Sequence, residues 1–259
     1  QQASADGTIK NAFRLHDGNH IEGVLIPSEE RMTACISSQA GCSLTCKFCA
    51  TGKLGRIRNL TAGEIYDQVA MIRGLSMEKY NAPLTNIVYM GMGEPLLNYA
   101  EVLRSVELIT SPGGLGMSPK RITVSTAGIA KMIMKLGDDG VKFNLALSLH
   151  AANDKKRSSI MPINESNTIP SLMEALRYFC SKTGTKVTFE YIVFRDFNDS
   201  AEDAKELARL CSSVASKVNL IEYNATGQEE FQNAGKERME QFRQYLEDRN
   251  IIANVRRSR

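Results

Sequence analysis

The sequence lacks several features that would place a protein in a membrane or a secretion pathway. It contains no apolar run of about 18 residues, so no membrane-spanning segment is indicated. Its first residues, QQASADGTIKN, have neither the basic stretch nor the apolar stretch of a secretory signal. The formal net charge is only +3, which is too small to indicate nucleic-acid binding by itself. Any contact with nucleic acid would therefore depend on local groups of basic residues.

Cysteine is scarce and unevenly placed. Four of the six cysteines lie between positions 35 and 49. Disulfide frameworks are typical of small secreted domains, whereas clustered cysteines in a chain of this size indicate a metal site or catalysis. Zinc usually needs four ligands, often as two separated pairs, and no second pair is present. The spacing C-x3-C-x2-C of Cys42, Cys46 and Cys49 fits instead a 4Fe–4S cluster that keeps one iron open.

The composition allows a substantial folded core, since hydrophobic residues make up 42% of the chain and charged residues 24%. Two apolar runs flank Asp17-Gly18, which predicts a β-hairpin. We expect this hairpin to form an extension over residues 1–30 of a core that occupies residues 31–259. In the core, six short apolar or β-branched stretches predict strands: ACISS, NIVYMG, RITVST, FNLALSLH, KVTFEYIVF and KVNLIEY.

Stretches with helical spacing separate the predicted strands. Thr61 precedes Glu64 by three residues, the pattern of a capping box, and predicts a helix start. Gly137 and Gly184 predict two helix ends. Strands that alternate with helices indicate a parallel α/β fold, and both a doubly wound sheet and a partial barrel fit this order.

Polar motifs follow most of the predicted strands. They are the cysteine loop, Gly91-Met92-Gly93-Glu94-Pro95, Ser125, Ser148-Leu149-His150 and Asn224. In barrels the chemistry collects at the carboxyl ends of the strands, so we expect these motifs to share one rim. Glycine lets backbone approach a ligand, and the Glu94 carboxylate can pair with an ammonium group. The alternatives are an ordinary turn around Glu94, a capping role for the serines, and a strand-end His150 with satisfied hydrogen bonds.

Several strings are similar to the radical S-adenosylmethionine (SAM) enzymes that methylate adenosine in 23S ribosomal RNA and in some tRNAs. They are CISSQAGCSLTCKFCATG, YMGMGEPLLN, ITVSTAGI, LSLHAAND and MPIN, and the resemblance spans nearly the whole chain. It implies an α/β fold, a partial (β/α)6 radical SAM barrel with the hairpin as an N-terminal extension. It also implies a cytoplasmic monomer that acts on RNA, away from membranes, with an external electron donor such as a flavodoxin or ferredoxin.

The resemblance also assigns cofactors and residues. A 4Fe–4S cluster on Cys42, Cys46 and Cys49 would bind SAM through its open iron, and an electron from the cluster would release a 5′-deoxyadenosyl radical. The positions that match SAM contacts are Gly93, Glu94, Ser125, Ser148, Leu149, His150 and Asn224. The candidates for contacts with RNA phosphates are Lys53, Arg56, Arg58, Arg256, Arg257 and Arg259, for which a solvated surface run is the alternative.

The mechanism of the family gives two further residues a role. One SAM methylates a carrier cysteine near the C-terminus, and the radical from a second SAM takes a hydrogen from that methyl group, which then adds to C2 of adenine. Cys35 matches the thiol that attacks the carrier sulfur, so that a disulfide forms and the RNA is released. Glu22 matches a proposed proton acceptor. A buried strand cysteine and a surface glutamate are the ordinary alternatives.

The sequence departs from the family in a way that bears on turnover. The carrier cysteine should lie a little beyond the last strand, past Arg259, and the family's helical N-terminal domain is also missing. Cys180 and Cys211 fall in predicted helices and are poor substitutes. We therefore expect these 259 residues to bind the cluster and SAM and to cleave SAM, without methylating RNA.

Three other functions fit parts of the sequence. A close relative of the C2 enzymes methylates C8 of the same ribosomal adenosine, although Pro95 in GMGEPLLN favours the C2 group. The missing carrier cysteine leaves open an Fe–S and SAM-binding, electron-transfer or RNA-binding module that does not transfer methyl groups. A structural zinc protein is the third alternative.

Overall fold

A computed structural model describes residues 1–225 and 230–256. The strands are β1 (Gln2–Ala3), β2 (Ile9–Arg14), β3 (His20–Ser28), β4 (Arg31–Cys35), β5 (Gln39–Gly41), β6 (Arg56–Asn59), β7 (Asn86–Tyr89), β8 (Ile122–Thr126), β9 (Asn144–Ser148), β10 (Val187–Val193), β11 (Ser216–Glu222) and β12 (Ala253–Arg256). The α-helices are α1 (Ala62–Tyr80), α2 (Tyr99–Thr110), α3 (Ala130–Asp138), α4 (Asp154–Ile160), α5 (Ile169–Thr183), α6 (Ala201–Ser212) and α7 (Lys236–Glu247). Among the described residues, no helix is both long and apolar enough to cross a membrane.

The chain divides into two compact units by its internal contacts. The first comprises residues 1–43 and 51–125, and the second comprises residues 44–50 and the described residues from 126 onward. The short segment 44–50 therefore belongs with the second unit, although its chain neighbours on both sides belong with the first.

In the first unit, six strands pair in the order β1-β2-β3-β4-β7-β8. The hairpin predicted around Asp17-Gly18 is present as β2 and β3, and β3 pairs antiparallel with β4. β4, β7 and β8 then run parallel to one another. Ile21, Leu25 and Ala34 are buried on one face of these strands, against which α1 packs. The boundary between residues 30 and 31 stays a prediction.

In the second unit, β9, β10, β11 and β12 form a parallel arrangement in chain order. α3 packs against α5, and α7 packs against α6 and β12. The apolar strands bury both their faces in part, because the adjacent residues Ala146 and Leu147 of β9 point to opposite faces and are both inaccessible to solvent. This is the pattern expected of parallel strands covered by helices.

The local signals confirm most helix ends. Thr61 and Glu64 form the reciprocal hydrogen bonds of a capping box at the start of α1. Gly184, with φ +67°, ends α5 in the left-handed conformation. The prediction that Gly137 ends a helix is wrong, because α3 continues to Asp138. A Cβ at Gly137 would lie 3.3 Å from the Phe179 Cα, so this glycine permits the close approach of α3 to α5.

Several elements differ from the sequence-based expectation; the short strands β1, β5 and β6, for example, were not predicted. The first core strand ends at Cys35 instead of Ser38, because the Ser37 N–H donates to the Gln68 side chain, 2.9 Å away, rather than to a strand. The short helix α4 and the strand β12 were not predicted. Both are brief and polar, so their sequences carry little periodicity.

Candidate active site

The first cysteine of the loop is held by a tight hairpin in the first unit. β5 pairs with β6, and the register shifts between Ala40 and Gly41, as at a β-bulge. Gly41 has φ +78°, and a Cβ there would lie 1.8 Å from the Gly55 carbonyl oxygen. That oxygen accepts a hydrogen bond of 3.0 Å from the Cys42 N–H. The position of Cys42 therefore depends on a glycine that precedes it.

The other two cysteines are held in the second unit. The Cys49 N–H donates to the Cys46 carbonyl at 3.1 Å, which closes a turn around Phe48. The Lys47 N–H donates to the Ile160 carbonyl at 3.0 Å and so joins the loop to the end of α4. The Phe48 ring lies edge-on to the His150 ring at 4.7 Å between centroids. Backbone hydrogen bonds and an aromatic contact thus fix this half of the loop.

The donor set fits a 4Fe–4S cluster. All six cysteines lie in the described part of the chain, and none forms a disulfide. In residues 1–225 and 230–256, no three His, Cys, Asp or Glu side chains are grouped to hold a single metal ion. Each cysteine of a cluster binds a different iron, so a cluster does not need such a group. The buried guanidinium of Arg157 also interacts electrostatically with Cys46, which suits a centre that carries net negative charge.

The Gly-Met-Gly-Glu turn lies against the segment that leads to the cysteines. A Cβ at Gly91 would lie 2.8 Å from the Ile36 carbonyl oxygen, and one at Gly93, with φ +100°, 2.5 Å from the Gln39 Cβ. The Glu94 N–H donates to the Gln39 Oε1 at 2.8 Å, and the Glu94 carboxylate accepts from the Leu96 N–H at 3.0 Å. Both glycines are thus required by the protein's own packing. Contact of Gly93 and Glu94 with SAM stays a prediction.

His150 lies just beyond the end of β9 with its ring buried. Its Nδ1 accepts a hydrogen bond of 3.1 Å from the Ile192 N–H, and its carbonyl accepts one of 2.6 Å from Asn198 Nδ2. Burial, helped by the positive charge of Arg157, lowers the His150 pKa to about 3. The ring is therefore neutral, with its proton on Nε2 as a donor. The protein satisfies Nδ1 of this strand-end histidine, and no hydrogen bond of Nε2 is present among the described residues.

The remaining residues predicted to contact SAM lie at strand ends, in keeping with the sequence pattern. Ser125 is buried near the end of β8, and Ser148 is the last residue of β9. The Leu149 N–H donates to the Glu190 carbonyl at 2.9 Å, which orders the chain directly after β9. Asn224 lies two residues beyond β11 and is exposed. The contacts of these residues with SAM stay predictions.

Cys35 and Glu22 lie on one face of the first unit's strands. Cys35 is opposite Val24 in the register of β3 and β4, and Glu22 is two residues from Val24 along β3. Burial raises the pKa of the Cys35 thiol to about 12, so the group is protonated at neutral pH. Glu22 is 50% exposed and its carboxylate lies 2.7 Å from the Lys10 Nζ. Their catalytic roles stay predictions.

The basic residues that follow the cysteine loop differ in their surroundings. Arg58 donates to both carboxylate oxygens of Glu64, at 2.7 and 2.8 Å, and also pairs with Asp17. This favours a structural role for Arg58. Lys53 and Arg56 are exposed. Arg256 ends β12, whereas Arg257 and Arg259 lie outside the described residues.

The two remaining cysteines occupy helices, as predicted. Cys180 lies in α5 and Cys211 in α6. Burial raises the pKa of both thiols, that of Cys211 to about 11. Cys180 lies by Val187 at the amino end of β10, and Cys211 lies by Ser216 at the amino end of β11. Neither therefore lies at the carboxyl end of a strand, the position expected of a methyl carrier.

The sequence analysis missed several buried charged residues, of which Arg157 and Glu190 lie nearest to the predicted site residues. Arg157 in α4 is inaccessible to solvent, although its sequence DKKRSSI resembles a surface helix. Glu190 lies in β10 in register with Ser148, and its Oε1 accepts a hydrogen bond of 2.8 Å from Asn219. The sequence does contain a signal for Glu190, because it lies inside the apolar run KVTFEYIVF. Burying a carboxylate in such a strand costs desolvation free energy, which only a specific environment offsets.

Comparison with known proteins agrees with this geometry. Residues 36–211 match the radical SAM superfamily. The chain is 60% identical over 259 residues to the probable dual-specificity RNA methyltransferase RlmN of Cytophaga hutchinsonii, covering 100% of this chain and 71% of that protein. It is 44% identical over 263 residues to the dual-specificity RNA methyltransferase RlmN of Anaeromyxobacter sp., covering 100% of this chain and 70% of that protein.

Solved structures show the same fold. A radical SAM methyltransferase from Sphaerobacter thermophilus superposes with a TM-score of 0.96 at 44% identity, covering 100% of this chain and 76% of that one. SuiB of Streptococcus suis, solved with S-adenosylmethionine bound, superposes with a TM-score of 0.61 at 15% identity, covering 88% of this chain and 52% of that one. At that identity the second likeness concerns the fold alone.

Fold and sequence together define a class of enzyme, the radical SAM methyltransferases, whose cofactors are a 4Fe–4S cluster and SAM. Within that superfamily the chain belongs to the family of the dual-specificity RNA methyltransferases RlmN. The predicted α/β partial barrel, the two cofactors and the enzyme class are confirmed.

Proposed function

We propose that the chain forms the SAM-cleaving core of an enzyme that methylates C2 of adenosine in 23S ribosomal RNA and tRNA. The observation that carries this proposal is the 60% identity, over all 259 residues, to a protein named as a dual-specificity RNA methyltransferase. Pro95 in the turn after β7 supports C2 over C8 as the site of methylation.

The cluster and SAM, when bound, supply a one-electron cleavage of a carbon–sulfur bond in SAM. Cys42, Cys46 and Cys49 would hold three irons and leave the fourth for the amino and carboxylate groups of SAM. Phe48, packed at 5.8 Å from the Phe194 ring centroid, would keep water from this centre. The neutral His150 would offer its Nε2–H to a bound SAM.

Cys35 would act as the thiol that attacks the carrier sulfur and releases the product. Thiol exchange requires a thiolate, and burial raises the pKa of Cys35 to about 12. The attack therefore requires a base that takes the proton as the new sulfur–sulfur bond forms. Glu22 is kept as the predicted proton acceptor for the reaction at C2.

The partners follow from this chemistry. RNA is the substrate, and Lys53 and Arg56 are the exposed basic residues that would meet its phosphates. An external one-electron donor, such as a flavodoxin or ferredoxin, would reduce the cluster. We expect a monomer in the cytoplasm, where ribosomal RNA and tRNA are found. RNA affinity should fall steeply with added salt, and a salt-insensitive affinity would contradict the phosphate contacts.

The decisive experiment is anaerobic reconstitution with iron and sulfide, followed by addition of dithionite and SAM. The wild-type protein should form 5′-deoxyadenosine, measured by liquid chromatography. Cys46→Ala should form none, whereas the matched control Cys180→Ala, outside the loop, should behave as wild type. Absence of 5′-deoxyadenosine from the reconstituted wild type would refute the radical mechanism.

A second measurement decides the position of methylation. Nucleosides from 23S ribosomal RNA and tRNA of cells that express this gene should contain additional 2-methyladenosine, read by mass spectrometry. Additional 8-methyladenosine instead would favour the C8 alternative.

A further inference from the structure

Arg157 is a buried cation held by neutral acceptors. Its side chain is 0% exposed. Its Nε donates to the Leu149 carbonyl at 3.1 Å, one Nη donates to Asn164 Oδ1 at 2.6 Å, and the other donates to the carbonyls of Ser148, at 3.2 Å, and Ala127. Among the described residues, no carboxylate accepts a hydrogen bond from it. Burying a cation without a paired carboxylate is costly, so the position calls for an explanation.

The four hydrogen bonds of the guanidinium reach three segments of the second unit. Ala127 follows β8, Ser148 ends β9 with Leu149 directly after it, and Asn164 belongs to the MPIN string. The flat, forked geometry of arginine suits this task, because several carbonyls can be bound at once in fixed directions. Arg157 thereby orders the backbone of two residues that match SAM contacts.

The same helix also touches the cysteine loop. The Lys47 N–H donates to the Ile160 carbonyl at the end of α4. Cys46, Phe48 and Ala127 pack against an apolar cluster that includes Ile160. An ionised Cys46 sulfur would favour the charged form of Arg157, so the two groups are close enough to interact electrostatically. The buried charge therefore lies in the surroundings of a predicted cluster ligand.

We propose that Arg157 is a positioning residue with two separable effects, ordering the Ser148-Leu149 backbone for SAM and making the cluster on Cys46 easier to reduce. The second effect rests on the proposed function, since it requires the cluster. One electron from the external donor makes the cluster one unit more negative, and a positive charge in a medium of low dielectric constant stabilises that state. Water screens such a charge little, because Arg157 is buried.

Three variants separate the two effects. Arg157→Lys keeps the charge and loses the fork, and Arg157→Gln loses both. Asp154→Asn removes the negative charge of a carboxylate that partly cancels the positive charge of Arg157. The Asp154 Oδ1 accepts from Asn164 Nδ2 and from the Ile169 N–H, each at 2.8 Å, and an amide oxygen can accept both bonds. Asp154→Asn is therefore the variant least disturbing to the fold.

The cluster potential is measured by a redox titration followed by electron paramagnetic resonance. We expect a more negative potential for Arg157→Gln, an unchanged one for Arg157→Lys and a more positive one for Asp154→Asn. SAM affinity is measured by equilibrium binding. Both Arg157 variants should bind SAM about tenfold more weakly, the equivalent of about 1.4 kcal/mol, whereas Asp154→Asn should bind as wild type.

Iron and sulfide content and circular dichroism establish that each variant is folded and loaded. Equal potentials for Arg157→Lys and Arg157→Gln, or no shift in Asp154→Asn, would refute the electrostatic effect. Wild-type SAM affinity in Arg157→Lys would refute the ordering effect. Should Arg157→Gln not fold, Arg157→Lys and Asp154→Asn decide both points. A wild-type protein that holds no cluster would instead refute the proposed function.

Discussion

Replacing Gly41 by alanine should cost the protein its cluster. Gly41 has φ +78°, and an added Cβ would lie 1.8 Å from the Gly55 carbonyl oxygen and 2.9 Å from its carbon. The left-handed conformation costs about 1–2 kcal/mol in any residue with a Cβ. Relief of the clash requires a backbone shift of more than about 1 Å, which adds about 1–3 kcal/mol by comparison with overpacked cores. The shifted oxygen is the one that the Cys42 N–H contacts.

Gly55→Ala is the matched control in the same hairpin. Gly55 also has a positive φ, +67°, but nothing lies within 4 Å of its added Cβ. Gly55→Ala should therefore lose only the cost of the left-handed conformation, about 1–2 kcal/mol, and keep its iron. Both variants are reconstituted anaerobically, and iron and sulfide per chain are measured beside a thermal melt. If Gly41→Ala holds as much iron as Gly55→Ala, the hairpin does not position Cys42 and the reasoning is wrong.

Three further predictions concern ionisable groups. Arg58 lowers the pKa of Glu64 from 4.5 to about 2. The stability that the ion pair between Arg58 and Glu64 contributes is therefore complete above about pH 4.5 and is lost as the pH falls toward 2. Arg58→Met should lose about 1–2 kcal/mol at neutral pH, and its difference from wild type should narrow as the pH falls from about 4.5 toward 2 in urea titrations. Burial raises the pKa of Cys35 from 9.0 to about 12, which lowers its thiolate fraction about a thousandfold. A thiolate with a higher pKa is a stronger nucleophile, which offsets part of this loss. Iodoacetamide should therefore alkylate Cys35 of the apoprotein, at about pH 8, about 30- to 60-fold more slowly than it alkylates a peptide thiol. Equal alkylation rates, measured by mass spectrometry, would contradict this prediction. Burial also raises the pKa of Glu190, so the ionised carboxylate destabilises the fold when the pH is above that pKa. Glu190→Gln should therefore gain more stability at pH 7 than at pH 4, as measured by thermal melts. A gain independent of pH would show that the charge of Glu190 is not the cause.

Local signals in the sequence were enough for most of the fold. The capping box at Thr61 and the left-handed Gly184 depend on a few neighbouring residues, and the structure confirms both. The apolar strands in the parallel part of each unit were found within one to three residues of their ends. The prediction at Gly137 was wrong for a reason that lies elsewhere in the chain, because this glycine permits the close approach of Phe179 in another helix. Tertiary packing determines which residue such a position needs, and the local sequence pattern contains no information about that packing.

The candidate site divides in the same way. The spacing of Cys42, Cys46 and Cys49 indicates a cluster because the three ligands are local in sequence. The glycines of the GMGEP turn looked like ligand contacts, yet each is required by the approach of residues 36–39, which are distant in sequence. The residue types of a motif can therefore be restricted by packing within the fold, and the motif can still lie at the predicted site.

The charge on Arg157 shows what spacing leaves undetermined. The spacing of three thiols predicts that a cluster binds, but the potential of a cluster depends on the charges and hydrogen bonds around it. The string DKKRSSI offers four charged residues, of which the fold buries Arg157 completely and leaves Lys155 exposed. Only the three-dimensional arrangement decides which of them acts on Cys46. The ease of reducing the cluster is then a property of the second unit's packing, and Asp154→Asn tests it without touching a cysteine.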